Sequence, residues 1–257
     1  MTAPRLFVLT ATDSPWAVIL RRGPARRVAT IGWNRHTGAF LDGQWLNGRI
    51  YEHRCDLSPD GRHMVVFAGT GRRWWTAVSR APWLTAIYCE PQADTWGGGG
   101  AFTAEGHLWL GGGATDRLPK ELAGAANRAA YPPSTDGFHM GATFVAKMTA
   151  RGWRHVGGQG YDAVLHRDLS GGRTLEMRFE VGAKNRAIIA NRYALIADDG
   201  TRRETDWEWA EPGRKGLFYA AGGCLWSQAQ GGEPVLLRDF AAMDYGERRA
   251  PYRGVAR

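Results

Sequence analysis

A hairpin signature that recurs along the chain constrains its fold more than any other feature. The clearest copies are CDLSPDGRHMVVF at residues 55–67 and HRDLSGGRTLEMRF at residues 166–179. Weaker copies are AFTAEGHLWLGG at 101–112 and EWAEPGRKGLFYA at 208–220. Each copy has a short strand with polar flanks, a turn that contains glycine and a second strand rich in apolar residues. This repetition predicts a fold built from tandem copies of one β unit.

The spacing of the copies favours an all-β fold, a five-bladed β-propeller with about four strands in each blade. Turn glycines stand at positions 61, 106, 172 and 213. Their separations suit blades of about forty residues once an insertion at residues 113–142 is set aside. We therefore predict a single propeller domain over residues 1–257.

The first unit is predicted to contain only three strands, at residues 5–11, 16–22 and 26–33, followed by a loop at 34–50. An innermost strand is missing from this unit. A ring closes only when the last unit bonds to the first, so we expect the C-terminal tail, residues 241–257, to supply that strand and cover two exposed edges.

The third unit departs from the repeat after its first hairpin. Residues 118–130 (LPKELAGAANRAA) predict a short helix within the insertion. The outer hairpin of the same blade is then expected from the strands FVAKM at 144–148 and WRHVG at 153–157. In the second unit, residues 51–57 predict one continuous inner strand.

The hairpins resemble those of WD-repeat and related bacterial β-propellers. The residues that carry this resemblance are Leu57, Ser58, Pro59, Asp60 and Gly61 in one turn, and Leu225, Trp226 and Ser227 with the turn glycines Gly231 and Gly232 in an outer hairpin. The resemblance covers about four of the five predicted units and implies the propeller architecture. As a whole, the chain is similar to uncharacterised bacterial propeller-like proteins, and because propellers host many functions, the resemblance implies no activity.

The composition limits the classes of partner. A net charge of +8 and a pI near 9.7 would suit anionic partners, but the arginines are scattered, and a solvated basic surface is the interpretation we favour. The three cysteines are far apart in sequence, so neither a disulfide framework nor a zinc site is expected. No stretch approaches the length of a membrane span, and we predict a cytoplasmic protein without metal or cofactor.

The run Trp96-Gly97-Gly98-Gly99-Gly100 has two interpretations. Backbone that lacks side chains can approach a ligand closely, with Trp96 as a stacking surface. Alternatively, the strands are so crowded here that only glycine fits, which is the interpretation we favour. A phosphate-binding loop is not indicated, since no Lys-Ser or Lys-Thr pair follows.

Acid and base side chains are predicted at the start of two inner strands. Glu52, His53 and Arg54 open the second unit, and Glu208 opens the fifth. Two carboxylates beside a histidine could form a hydrolytic site of the glycosidase type at the mouth of the central channel. Ion pairs at the edges of blades explain the same residues without catalysis, and this is the favoured explanation.

Two further groups predict contacts with macromolecules. The insertion carries Asp136 and His139, and long loops in compact domains are commonly functional. Trp74, Trp75 and Trp83 alternate with arginines at positions 72, 73 and 80, as in a surface on which bases stack. Packing between blades also accounts for the tryptophans, and this is the interpretation we favour.

These patterns favour a noncatalytic function, in which a rigid scaffold binds a protein partner through one face that includes the insertion. The candidate binding residues are Trp96, Glu52, His53, Arg54, Glu208, Asp136 and His139. Two alternatives remain open: binding or glycosidase-like hydrolysis of a small ligand at the channel mouth, and nucleic-acid binding through the basic surface.

Overall fold

The computed structural model describes residues 3–23, 26–111, 118–132, 141–181, 189–214 and 216–254. The chain divides into two compact units. Val8–Lys147 and Asp244–Arg257 form what we call the large unit, and Met1–Phe7 and Met148–Met243 form the small unit. The prediction of a single domain over residues 1–257 stays a prediction.

The first sheet has the strand order β1–β2–β3–β4. Its strands are β1 (Arg5–Thr10), β2 (Trp16–Arg22), β3 (Arg27–Asn34) and β4 (Phe40–Asn47). The first three match the predicted strands. The prediction of a loop at residues 34–50 was wrong, because β4 is an outermost strand whose polar composition reflects its partial exposure to solvent.

The second sheet is built around two long central strands. Its members are β5 (Arg49–Ile50), β6 (Asp56–Leu57), β7 (His63–Thr70), β8 (Arg73–Arg80) and β9 (Ala86–Gln92). Both short strands pair with β7, and a single 3-10 turn, Glu52–Arg54, lies between them. The predicted inner strand at 51–57 is therefore interrupted, which moves the acidic and basic side chains of this turn out of the strand register.

Among the described residues, the sheet of the third unit consists of the hairpin of β10 (Gly100–Phe102) and β11 (Leu108–Leu110). Phe102 and Leu108 pack against Val65 and Val78 of the second sheet. Where an outer strand was predicted at 144–148, the chain forms the helix α1 (Gly141–Ala150). A short apolar run does not distinguish strand from helix, and Phe144 and Lys147, three residues apart, are buried on one helical face.

The predicted helix at residues 118–130 was also wrong. Among these residues only Arg128–Ala130 is helical, as one 3-10 turn. Leu108 instead donates its N–H to Gly124 and accepts a hydrogen bond from the N–H of Ala126. The open edge of β11 thus binds the backbone of this segment, and that tertiary pairing overrides helix propensity.

The small unit contains two complete meander sheets. The first is formed by β12 (Arg154–Gly157), β13 (Val164–Asp168), β14 (Thr174–Val181), β15 (Ile189–Ile196) and β16 (Arg202–Glu204). The second is formed by β17 (Trp209–Gly213), β18 (Gly216–Ala221), β19 (Cys224–Ala229) and β20 (Pro234–Asp239). Both follow the order of the chain. The strand at 153–157, predicted for the third blade, pairs instead with β13.

The chain is thus all-β and propeller-like, with sheets that resemble propeller blades. The prediction of five blades was wrong: the described residues form four sheets of four or five strands, and the third unit is a two-stranded hairpin. Closure by the tail is not observed either, since its described residues, 241–254, form no strand. The first sheet already has four strands, one more than predicted from the sequence.

Candidate functional site

The predicted residues Glu52, His53 and Arg54 lie together on the 3-10 turn between β5 and β6. Glu52 is buried and forms an ion pair with Arg22. The ring of His53 contacts the ring of Phe144 edge to face, with centroids 5.1 Å apart. These contacts join the turn to β2 and to α1, so this part of the predicted site has a structural role.

Arg54 joins the same turn to the segment that carries Trp96. Its guanidinium lies 5.2 Å from the centre of the Phe67 ring and donates hydrogen bonds to the carbonyl oxygens of Trp96 (3.3 Å) and Gly98 (3.4 Å). A Cβ on Gly98 would lie 2.1 Å from the Phe67 ring. Crowding therefore explains the glycine at position 98, while Trp96 itself is 54% exposed.

Buried hydrogen bonds surround this turn. Asp56 accepts hydrogen bonds from the N–H groups of Leu57 and Phe102, each at 2.9 Å, which joins the third unit to the second sheet. The Nζ of Lys147 donates to the carbonyl oxygen of Cys55 at 2.8 Å. Burial raises the pKa of the Cys55 thiol to about 12, so this cysteine is an unreactive part of the core.

Glu208 belongs to the small unit, where its Oε2 accepts a hydrogen bond from the N–H of Leu6 at 2.8 Å. Glu52 belongs to the large unit, and both carboxylates are engaged in structural contacts. Asp136 and His139 lie outside the described residues. The pair of catalytic carboxylates considered from the sequence stays a prediction.

A cleft in the large unit was missed by the sequence analysis. It has a volume of about 720 Å³ and lies between the first sheet and the turns of the second. Trp16, Val18 and Leu41 share one face of the first sheet, where Val18 and Leu41 flank Gly32 in neighbouring strands. Trp16 is 38% exposed and Leu41 is 44% exposed. The cleft thus presents two large apolar side chains to solvent.

Gly32 of β3 and Pro82 both line the cleft. Pro82 packs over Gly32, and a Cβ at that glycine would lie 3.2 Å from the Cγ of the proline. Gln44 fixes the turn that carries Pro82, because its Oε1 accepts hydrogen bonds from the N–H groups of Leu84 and Thr85, both at 2.8 Å. The apolar floor of the cleft is therefore held in place by a polar side chain behind it.

The wall beside Trp16 is formed by two turns bound to each other. Asp13 donates its N–H to the carbonyl oxygen of Pro59 at 2.9 Å. Arg35 donates from Nη2 to the carbonyl oxygens of Ala11 and Ser14, both at 2.8 Å. These bonds make Trp16 part of a fixed surface.

The opposite wall is polar, and the insertion contributes to it. Glu121 accepts two hydrogen bonds from Arg80, at 2.9 Å from Nε and 2.7 Å from Nη2. His63 places its Nε2 3.7 Å from the same carboxylate. Burial acts to raise the pKa of Asp60, but hydrogen bonds from Ser58 and the N–H of Arg62 outweigh it and hold that pKa below its usual value.

The C-terminal tail supports this wall from behind. The hydroxyl of Tyr252 accepts a hydrogen bond from the N–H of Arg80 at 3.1 Å and donates one to the carbonyl oxygen of Thr85 at 2.8 Å. The Arg80 guanidinium lies 4.9 Å from the centre of the tyrosine ring. Burial raises the pKa of Tyr252 to about 12, so the hydroxyl keeps its proton near neutral pH.

The polar wall of the cleft carries charges of both signs. Arg62 and Arg80 are balanced by Asp60 and Glu121, so the polar wall has no large surplus of either charge. Within the described part of the chain, no three His, Cys, Asp or Glu side chains are placed to hold a metal ion. The apolar floor and the charged wall together provide an anchor point and polar partners.

Part of this site could be recognised from local sequence patterns. The residues around Gly61 were recognised as a turn, but Trp16 and Leu41 are separated by 25 positions and look like ordinary members of strands or loops. Only the pairing of β2, β3 and β4 places them beside Gly32. An isolated glycine inside a strand pattern was the one local indication of a close approach.

Comparisons with known proteins supply no relative on which to base a function. No protein-family model matches the chain, and no curated protein matches it significantly. None of the helices among the described residues has the length and apolar character needed to cross a membrane.

Proposed function

We propose that the chain is a noncatalytic interaction protein that binds a segment of a partner polypeptide in the cleft of the large unit. The observation that carries the proposal is the exposure of Trp16 and Leu41 in the lining of the cleft, on the two strands that flank β3. Large apolar side chains in a fixed depression are the usual anchors of protein interfaces. A polar rim with arginine is equally typical of such surfaces.

A polypeptide fits this cleft better than a small ligand does. Small-molecule sites typically enclose 70–90% of the ligand surface. Trp16 and Leu41 are both more than one third exposed, so the apolar floor is open to solvent. An extended or turn segment could place an apolar side chain on this floor and direct its backbone amides to Asp60 and Glu121. The participation of Glu121 supports a role for the insertion in binding.

The proposal is tested by selecting peptides from a random 12-residue display library on the purified protein. We expect selected peptides to share one large apolar residue, because the floor offers one apolar site. Trp16→Ala removes most of that floor and should weaken binding of a selected peptide at least about tenfold, measured by fluorescence anisotropy. Leu41→Asp should weaken it by a similar factor.

Trp96→Ala is the matched control, because it removes an exposed tryptophan of the large unit that lies outside the cleft. It should leave the affinity within about twofold of the wild-type value. Loss of binding with Trp96→Ala but not with Trp16→Ala would contradict the proposal and would favour the site predicted near Glu52. Failure to enrich any shared sequence would also contradict it.

A further inference from the structure

A cluster of exposed arginines lies at the end of β8 that is distant from the cleft. Arg26 and Arg27 come from the connection between β2 and β3, Arg49 follows β4, and Arg72 and Arg73 form the turn between β7 and β8. All five are exposed. We call these five residues the basic end. Arg80, which the sequence analysis grouped with Arg72 and Arg73, is at the other end of the strand.

Backbone pairing shows that these arginines are neighbours. Arg27 is opposite Asn47, and the N–H of Gly48 donates to the carbonyl oxygen of Arg26 at 2.8 Å. Arg49 is opposite Gly69, and Arg73 is opposite Thr70. Since paired strands lie about 4.8 Å apart, the row extends over roughly 15–20 Å. That length accommodates several phosphates of one nucleic-acid strand.

The charge of the basic end is not neutralised. Within the described part of the chain, no carboxylate forms an ion pair with any of these five arginines, and the adjacent Glu52 is paired with Arg22. The planar guanidinium group binds phosphate oxygens through two parallel hydrogen bonds. A row of such groups from three turns therefore favours a ligand with regularly spaced phosphates.

Aromatic rings alternate with these arginines. The guanidinium of Arg27 lies 4.8 Å from the centre of the Tyr245 ring, and that of Arg49 lies 4.8 Å from the centre of the Tyr51 ring. Tyr245 packs against Trp45 at 5.7 Å and is itself 53% exposed. An exposed ring beside phosphate-binding groups provides a surface on which an unpaired base can stack.

The backbone at Arg26 supplies an independent observation. Its φ of 53° lies in the left-handed region, and it is the one residue other than glycine with a positive φ among those described. This conformation is unfavourable for an arginine and is retained mainly where the surrounding structure requires it, as at binding sites. It holds Arg26 in the turn beside the other members of the row.

We propose that the basic end binds single-stranded nucleic acid, with the arginines on the phosphates and Tyr245 as a stacking partner for one base. The row of unpaired guanidinium groups interleaved with aromatic rings carries this inference. This proposal depends on neither the cleft nor a partner polypeptide, so it can be tested independently of the proposed function.

The test measures binding of fluorescein-labelled dT20 to the full chain by anisotropy at 50 and 200 mM salt. If about five phosphates are contacted, the affinity should fall on the order of 100-fold between these concentrations. Replacing Arg49, Arg72 and Arg73 together by alanine should reduce the affinity at 50 mM salt at least about tenfold and make the salt dependence shallower. The corresponding triple lysine variant should keep most of the salt dependence, because it keeps the charge.

Arg173, Arg203 and Arg214 of the small unit, replaced together by alanine, form the control with the same loss of charge, and binding should change less than about threefold. Tyr245→Ala should weaken dT20 binding about fivefold or more without changing its salt dependence. An equal loss in the control, tighter binding to a 20-base-pair duplex, or equal competition by polyglutamate or by phosphatidylserine vesicles would each overturn the proposal. Circular dichroism melting confirms that each variant is folded.

Discussion

The two ends of the second sheet in the large unit differ in how they use arginine. At the end near Arg80, the guanidinium is neutralised by Glu121 and held against the ring of Tyr252. At the end near Arg73, the exposed arginines have no carboxylate partner among the described residues. One strand of eight residues separates these two environments. The difference teaches that arginines at the two ends of one sheet can have opposite environments, neutralised at one end and without a carboxylate partner among the described residues at the other.

Near the basic end, Arg22 differs from the five exposed arginines because it forms an ion pair with Glu52. Its ion pair with Arg22 is largely buried, since the two side chains are only 11% and 12% exposed. Glu52→Gln leaves Arg22 without its charged partner and should lower the free energy of unfolding by about 3 kcal/mol. Urea denaturation measures this effect. Glu247→Gln, at an exposed carboxylate of the tail, is the control and should leave the denaturation midpoint unchanged.

The two hairpin turns of β7 allow the rigidity of the two ends to be compared. Gly61, near the cleft, has a φ of +76°, and a Cβ there would lie 2.9 Å from the Cβ of Trp16. Gly71, at the basic end, has a φ of +59° with no atom within 4 Å of such a Cβ. Gly71→Ala should cost about 1 kcal/mol through backbone strain alone, and Gly61→Ala about 2 kcal/mol because packing is added.

Thermal melting of both alanine variants measures this difference. Gly61→Ala should also weaken the selected peptide, since Trp16 must shift to accept the new methyl group. Equal destabilisation by the two substitutions would show that the turn beside the cleft is no more tightly packed than the turn at the basic end.

In the small unit, by contrast, two arginines are paired with one buried carboxylate, that of Glu176. Glu176 accepts hydrogen bonds from Arg178, Arg202 and His166. Burial acts to raise the pKa of Glu176, but these three partners outweigh it and lower the pKa to about 2. Since the folded-state pKa lies below the ordinary value of 4.5, this carboxylate stabilises the protein above pH 4.5, and the contribution disappears as the pH falls towards 2.

Glu176→Gln should therefore lower the free energy of unfolding at pH 7 by an amount on the order of 2 kcal/mol and have less effect at pH 3. Urea midpoints of the variant and the wild type at the two pH values measure this. Glu204→Gln is a control on an exposed carboxylate of the same sheet, with a smaller expected effect. A constant difference between wild type and Glu176→Gln from pH 7 to pH 3 would contradict the assigned network.

The smallest expected effects on stability and binding come from removing the hydroxyl of Tyr252, beside the cleft, or of Tyr245, at the basic end. Tyr252→Phe removes the hydroxyl that bonds Arg80 and Thr85, and should cost about 1 kcal/mol and weaken the selected peptide a few fold. Tyr245→Phe keeps the ring that packs on Trp45 and should preserve both stability and oligonucleotide binding. Chemical denaturation and the two anisotropy assays distinguish these outcomes.

The sequence predicted local pairing well and long-range pairing poorly. The hairpins at Gly61 and Gly172 are confirmed, because apolar strands flank their turns directly. The strand at 153–157 was assigned to the wrong sheet, since its choice of β13 depends on contacts that local patterns do not encode. The five-blade count failed for the same reason, because α1 occupies the sequence that resembles an outer strand.

For the candidate sites too, local features could be predicted from the sequence and long-range contacts could not. Crowding at Gly98 could be predicted from the glycine run alone. The cleft could not, because Trp16, Gly32 and Leu41 become neighbours only through strand register. Tyr252 was missed for a different reason, since the tail was predicted to pair as a strand and instead binds through side chains.

The most direct test measures one selected peptide and dT20 against two variants, Trp16→Ala and the triple alanine variant of Arg49, Arg72 and Arg73. If the two ends are separate binding surfaces, Trp16→Ala should lose the peptide and keep the oligonucleotide, and the triple variant should do the reverse, with losses of about tenfold or more in each case. Loss of both ligands in the same variant would contradict the account, because a single surface would then bind both.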